Sequence, residues 1–252
     1  MDLGLKGKTA IITGSNSGIG LGIAHALAAE GHNVVINSYT DKDEDHALAK
    51  EISKQHGNET IYVQADMSKG EDCRALVARA ADRFGHVDIL VNNAGIQHVA
   101  PVEEFPIEKW NAILAINLSS SFHTIAAAIP HMKKAGHGRI INIASVVGQS
   151  GNPGQANYCA SKAGLIGFVE RRGATDRDRG VTVNAIAPGF IETRMTAEMP
   201  FGVREGGRRL SSLSQGGEPR DVAEAITFLA TPGAGGISGN VLRVCGQSLI
   251  GA

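Results

Sequence analysis

Cysteine is scarce in this chain. Cys73, Cys159 and Cys245 are odd in number and widely spaced, which fits reduced cytoplasmic thiols better than disulfides or a metal site. Net charge is almost missing, at −1, so no surplus of either sign points to nucleic acid or to an anionic membrane. With 42% hydrophobic residues the composition is not that of a disordered chain. No apolar run reaches the roughly 18 residues that a membrane span needs. The chain enters a strand-like stretch almost at once, leaving no room for a signal peptide. No linker, repeat or compositional break divides residues 1–252, so a single domain is expected, near the upper size for an α/β unit.

Glycine, by contrast, is abundant, with 32 residues, as many tight strand-to-helix turns require. Short apolar runs at 9–13, 33–37, 60–65, 89–92, 139–143, 181–186 and 241–244 read as buried strands separated by helical stretches. In the first helix, residues 19–31, Ile19, Ile23 and Leu27 form one stripe and Gly31 the stop. The alternation predicts an α/β, doubly wound, Rossmann-type parallel sheet with helices on both faces. The least regular segment, about 192–217, is rich in Gly, Arg and Ser. It follows a late strand, where a lid over a substrate would lie. A misfit lies at 169–180. The helix carrying Tyr158 is apolar through Leu165, Ile166, Phe168 and Val169, but helical spacing then puts Arg172, Gly173 and Asp176 at core positions. Burying such charge is costly, so this helix is expected to end early or to be solvated in its second half.

The turn Thr13-Gly-Ser-Asn-Ser-Gly-Ile-Gly20 joins the first strand to the first helix. Gly14, Gly18 and Gly20 let backbone approach a pyrophosphate, and the following helix N-terminus attracts its charge, so this is a dinucleotide site with Ser17 and Ile19 in its turn. Asp66 follows the third strand, placed either to accept from an adenine amino group or to cap a helix. The run Asn92-Asn-Ala-Gly95 ends the fourth strand at the expected crevice, where Asn93, Ala94 and Gly95 would face cofactor. Asn and Gly also favour a plain turn there. A 2′-phosphate wants Arg or Lys, and a free 2′-hydroxyl wants an acceptor. Ser17, not Arg, precedes Gly18, and the second strand ends Asn37-Ser-Tyr-Thr-Asp41 with only Lys42 close by. NAD(H) is therefore the expected cofactor over NADP(H), although the Asp usual at that strand end is missing too.

Tyr158 and Lys162 are four residues apart, on one helical face, with Ser145 thirteen residues upstream. A cation beside a phenol favours the phenolate, so the Tyr158 pKa is expected to fall from about 10 toward neutrality, giving an acid/base for an alcohol or carbonyl oxygen. Any one of these residues alone is an ordinary surface, strand-end or helix residue. Together with Thr13–Gly20, Asp66, Asn92–Gly95, Asn117 and Pro188-Gly189, in this order and spacing, they resemble the short-chain dehydrogenase/reductase family over essentially the whole chain. The resemblance implies a seven-stranded sheet, a homotetramer and a set of roles. Tyr158 would exchange the proton, Ser145 hold the reacting oxygen, Lys162 hold the nicotinamide ribose, and Asn117 order a relay water. Pro188, Gly189 and Thr193 would lie along the nicotinamide.

Up to about residue 144 the chain looks like D-3-hydroxybutyrate dehydrogenase, carried by residues 13–22 and by 95–106, in which Gln97 would help to bind the substrate carboxylate. That family also has a His and a Lys where this chain has Val147 and Gln155. From Ser145 onward the chain resembles 3-oxoacyl-acyl-carrier-protein reductases, through residues 151–168 and 188–195. The patchwork suggests a recombined gene or an engineered chimera, with 169–180 as a junction or a local frame slip. Neutral Val147 and Gln155 suit a thioester better than a free acid. The expected activity is therefore NAD(H)-linked redox at C3 of a small acyl group carried on acyl carrier protein or coenzyme A. Lys133, Lys134, Arg139, Arg179, Arg204, Arg208 and Arg209 are candidates to receive that acidic carrier, or are simply solvated. Oxidation of free D-3-hydroxybutyrate and a non-catalytic nucleotide-binding scaffold are the alternatives. No metal is expected.

Overall fold

Strand β1 (Thr9–Ile12) shows how the sequence divides the molecule. Ala10 and Ile12 point into one hydrophobic core and Ile11 into another, because alternate strand residues face opposite sides of a sheet. β2 (Asn33–Ser38) repeats the division, with Val34 and Ile36 on the first side and Val35 on the second. Such strands, buried on both faces, read as continuous apolar runs rather than as alternation.

The computed structural model of the chain describes residues 3–176 and 180–247. The remaining strands are β3 (Thr60–Gln64), β4 (Ile89–Asn92), β5 (Gly138–Ile143), β6 (Val181–Pro188) and β7 (Val241–Val244). All pair in parallel in the order β3-β2-β1-β4-β5-β6-β7. The order reverses between β1 and β4, and a crevice opens at the carboxyl ends of strands flanking such a switch. Every strand expected from sequence is present, with ends moved by two residues at most.

Helices α1 (Gly18–Ala29), α2 (Asp43–His56) and α10 (Pro219–Ala230) cover one face. Helices α3 (Gly70–Phe84), α5 (Ser120–Ala135) and α7 (Ala156–Asp176) cover the other. α4 (Ile107–Leu114) runs through a π turn, Ala115–Ser119, into α5. The combined helix Ile107–Ala135 is long and apolar enough, by length and composition, to cross a membrane. Polar residues such as Asn117, Ser119 and His123 break its apolar runs. In this fold Ile113, Ile125, Ile129 and Met132 bury its inner stripe.

The irregular stretch 192–217 forms two short helices, α8 (Arg194–Ala197) and α9 (Phe201–Arg209), returning to the sheet through a bridge between Ile191 and Gly217. A short α6 (Val147–Ser150) precedes α7. The backbone of α7 is helical to Asp176, so the helix does not end early, and Val169 is fully buried. The misfit at 169–180 otherwise falls on side chains at 171–176 and on residues 177–179, which lie outside the description.

Candidate active site

Tyr158 and Lys162 stand one turn apart at the start of α7, and Ser145 follows the end of β5. The Ser145 hydroxyl hydrogen-bonds the Tyr158 phenol. Burial pushes that phenol up to about 12, a rise the Ser145 bond only partly offsets. Lys162 is 3% exposed, and burial lowers its ammonium to about 8. Its Nζ donates to the Ile143 carbonyl at 2.6 Å and lies 5.6 Å from the Tyr158 ring centroid. The fall expected for Tyr158 is therefore not found. The ammonium is bound to backbone beside the ring, and burial of the phenolate outweighs its pull.

Asn117 sits in the π turn, a helix irregularity frequent at functional positions. Its Oδ1 accepts from Ile96 N at 2.9 Å, and its Nδ2 donates to Ile96 O at 2.9 Å and Ser161 Oγ at 3.3 Å. The side chain thus clamps the loop after β4. A Cβ placed on Gly95 would lie 3.5 Å from Asn117 Oδ1 and 3.6 Å from Lys162 Nζ, so these three converge. Asn157 is fully buried, and neither atom of its amide has a hydrogen-bond partner among the described residues. Sequence reasoning passed over it because a helix Asn next to a Tyr carries no signal of its own.

The glycine turn is braced on every side. Thr13 Oγ1 accepts from Asn93 N and Ala94 N at 3.0 Å each, and Asn93 Nδ2 donates to Thr13 O and Gly14 O. A Cβ on Gly14 would come 2.9 Å from Ala94 Cα, and one on Gly20 would strike Gly14 O. Gly14 and Gly20 are therefore demanded by packing. Gly18, at φ +56°, looks across the crevice to Thr193, whose Cγ2 would be 3.8 Å from an added Cβ. Ser17 is the N-cap of α1, yet its side chain makes no capping bond. This narrow, backbone-lined approach to a helix N-terminus fits a dinucleotide pyrophosphate. Two expected cofactor residues also have local work. Asp66 Oδ1 accepts from Ser68 N at 2.9 Å and Ser68 Oγ at 2.7 Å, closing the turn before α3. Thr193 forms a capping box with Thr196 at α8.

A cavity of about 690 Å³ gathers Ile19, Gln97, Ser145, Val147, Gln155, Tyr158, Pro188, Gly189 and Thr193, with Phe190, Val203, Gly206, Gly207 and Leu210 on the lid side. Gln155, 8% exposed, donates from Nε2 to Gln97 Oε1 at 2.7 Å and accepts from Asn152 Nδ2 at 2.7 Å. The groups around Ser145 are thus neutral. Arg243 also lines the cavity, but on β7, two strands from the Ser145 loop, and Asp221 lines it as well. Cys245 forms part of the floor, close enough that a Cβ on Gly189 would lie 2.7 Å from its own Cβ.

The candidate carrier contacts divide. Arg139 is 4% exposed and donates to the carbonyls of Thr231, Gly138 and Gly180, so it cannot meet a partner. Arg208 pairs with Glu192 at 2.6 Å, and Arg209 with Glu205 at 2.7 Å. Arg179 lies outside the described residues.

The family model for short chain dehydrogenases matches residues 8–201. The chain belongs to the short-chain dehydrogenase/reductase family. It is 39% identical over 239 residues to a 3-oxoacyl-acyl-carrier-protein reductase of Staphylococcus epidermidis, covering 95% of this chain and 98% of that one. It is 48% identical over 186 residues to a D-beta-hydroxybutyrate dehydrogenase of Rhizobium meliloti, covering 74% and 72%. A like-named enzyme of Cupriavidus necator is 49% identical over 190 residues, covering 75% and 72%. The two kinds of match overlap along the chain. As a short-chain dehydrogenase/reductase, the protein is an oxidoreductase that uses a nicotinamide dinucleotide.

Proposed function

We propose that the protein is an NADH-dependent reductase that converts a 3-oxoacyl thioester to its (R)-3-hydroxyacyl form, reversibly, as one domain with a lid at 192–217. The observation that carries this reading is the neutral lining beside Ser145. A free carboxylate would have to leave water for Val147 and an amide pair already bonded to each other, and that costs several kcal/mol without a cation. A thioester keeps its carrier outside and brings no charge. The 39% identity over nearly the whole length to a 3-oxoacyl-acyl-carrier-protein reductase supports the same choice.

In this reading Ser145 donates to the substrate carbonyl oxygen and Tyr158 delivers the proton to it. A phenol held near 12 is fully protonated at neutral pH, which suits donation in the reductive direction. The bound cofactor supplies the hydride. Lys162 holds the sugar side of the cofactor, and its lowered pKa suits it to pass on a replacement proton. Asn117 fixes the Ile96 loop, and with it Gln97 over the substrate. Gly18, Ser17, Ile19, Gly95, Pro188, Gly189 and Thr193 line the cofactor path, with Asp66 at the adenine end. The family suggests a homotetramer and a cytoplasmic setting, with acyl carrier protein or coenzyme A as the carrier.

The second reading is oxidation of free D-3-hydroxybutyrate. Gln97 in the cavity and 48% identity over 186 residues favour it. Steady-state rates decide between them. Acetoacetyl-CoA with NADH should give at least about tenfold higher kcat/KM than free D-3-hydroxybutyrate with NAD, the size of one missing charged contact. The reverse ranking overturns the choice.

A further inference from the structure

The end of β2 lacks the carboxylate that ordinarily meets a ribose 2′-hydroxyl in dinucleotide folds. Its Asn37 is turned away from the crevice. Nδ2 donates to the carbonyls of Ser38, Val63 and Ala65 at 3.0–3.2 Å, and Oδ1 accepts from Gly14 N at 3.1 Å. A different carboxylate serves this corner. Asp45, in the first turn of α2 and 6% exposed, accepts from Asn16 Nδ2 at 2.9 Å with one oxygen and from Thr40 Oγ1 at 2.6 Å with the other. Asn16 belongs to the glycine turn, and Thr40 follows β2.

The direction of these bonds matters. The Thr40 hydroxyl hydrogen points at Asp45, so in the 3.1 Å contact between Ser38 and Thr40 it is Ser38 that donates. Thr40 N points its own hydrogen at Ser38 Oγ, at 3.4 Å. One Asn16 amide hydrogen is likewise given to Asp45, and the Asn16 carbonyl oxygen has no protein partner among the described residues. The carboxylate thus draws one hydrogen from each of Asn16 and Thr40 inward, and through Thr40 it turns the Ser38 hydroxyl the same way. The lone pairs of Asn16 Oδ1 and Ser38 Oγ are left for a ligand.

We propose that Asp45 is the residue that selects NAD(H) over NADP(H), by orienting Asn16, Thr40 and Ser38 into a surface of acceptors. Such a surface receives a 2′-hydroxyl, which donates, and sets the Asp45 charge against a 2′-phosphate, which only accepts. Burial works to raise the Asp45 pKa, but the bonds from Thr40 and Asn16, a backbone N–H and the Lys42 charge hold it below its usual value, so the group stays ionised. Lys42 is exposed, and the neighbouring Asp41–His46 pair adds a second carboxylate at the rim. This inference rests on the NADH reading above and names the side chains that produce it.

The test is equilibrium binding. NADH and NADPH fluorescence titrations on the full chain without substrate give two Kd values for the parent and for two variants. The parent should bind NADH the more tightly. Asp45→Asn adds a donor and frees the others, so the NADPH-to-NADH Kd ratio should fall by about fivefold or more, through tighter NADPH. Thr40→Val removes only the hydroxyl that captures Ser38, so it should lower the ratio by about two- to threefold. Thermal unfolding checks that each variant folds, and Thr40→Val serves if Asp45→Asn does not. A parent that prefers NADPH overturns the NADH reading and this inference together. A parent that prefers NADH, with folded variants that keep its ratio, overturns only the role of Asp45.

Discussion

The two halves of the crevice are built by different means. On the β1–β2–β4 side, three polar side chains tie the loops together through backbone. Asn37 holds three carbonyls, Asn93 holds two, and Thr13 receives two amides. On the lid side, shape comes from volume: Phe190, Val203, Leu210 and two glycines, fastened by the Glu192–Arg208 ion pair. The first half is preorganised by directional bonds and tolerates little change. The second is bounded by apolar surface and can admit substrates of different size.

The largest effects are expected where the halves meet. Tyr158→Phe should lower kcat by about 10³-fold while cofactor Kd, read by fluorescence titration, changes less than about threefold. A parallel loss of cofactor binding would show that the phenol is structural. Lys162→Met should also abolish turnover yet stabilise the fold. The buried ammonium falls from 10.5 to about 8, so folding penalises the charged form by at most about 3 kcal/mol. Because the folded pKa is the lower one, that stability is fully present only above pH 10.5 and is lost as pH falls toward 8. At pH 7, Lys162→Met should raise Tm, and an unchanged or lower Tm would contradict a penalised cation.

On the braced side, Asn37→Asp should destabilise by about 2–3 kcal/mol in urea unfolding, because it sets a carboxylate against three carbonyls. A neutral result would mean that the bracing is dispensable. On the lid side, Gly207→Ala brings a Cβ to 2.5 Å from the Phe190 ring. It should cost about 1 kcal/mol or less, since the lid helix can shift, and should alter KM for the acyl substrate about threefold with kcat retained. An effect as large as that of Asn37→Asp would erase the contrast.

The same contrast explains what was legible beforehand. The strands were readable because residues buried on both faces leave unbroken apolar runs, as in Val34-Val-Ile36. Gly14, Gly18 and Gly20 were readable because each is required by packing or by positive φ. Spacing places Lys162 on the right face and so predicts a lowered phenol pKa, but it cannot show that the ammonium binds Ile143 O. Arg139 looked like a surface cation because the acceptors that bury it, at Thr231 and Gly180, come from distant parts of the chain. Asp45 was invisible for the same reason: its partners are Asn16 and Thr40.

The central claim is that the neutral lining beside Ser145 takes a thioester and that the site reduces it. The most direct measurement is a competition in one vessel: equal concentrations of acetoacetyl-CoA and free acetoacetate, limiting NADH, and chiral chromatography of the products. The account predicts that (R)-3-hydroxybutyryl-CoA forms in at least about tenfold excess over free 3-hydroxybutyrate. Free 3-hydroxybutyrate as the main product, or an (S)-configured thioester, would contradict it.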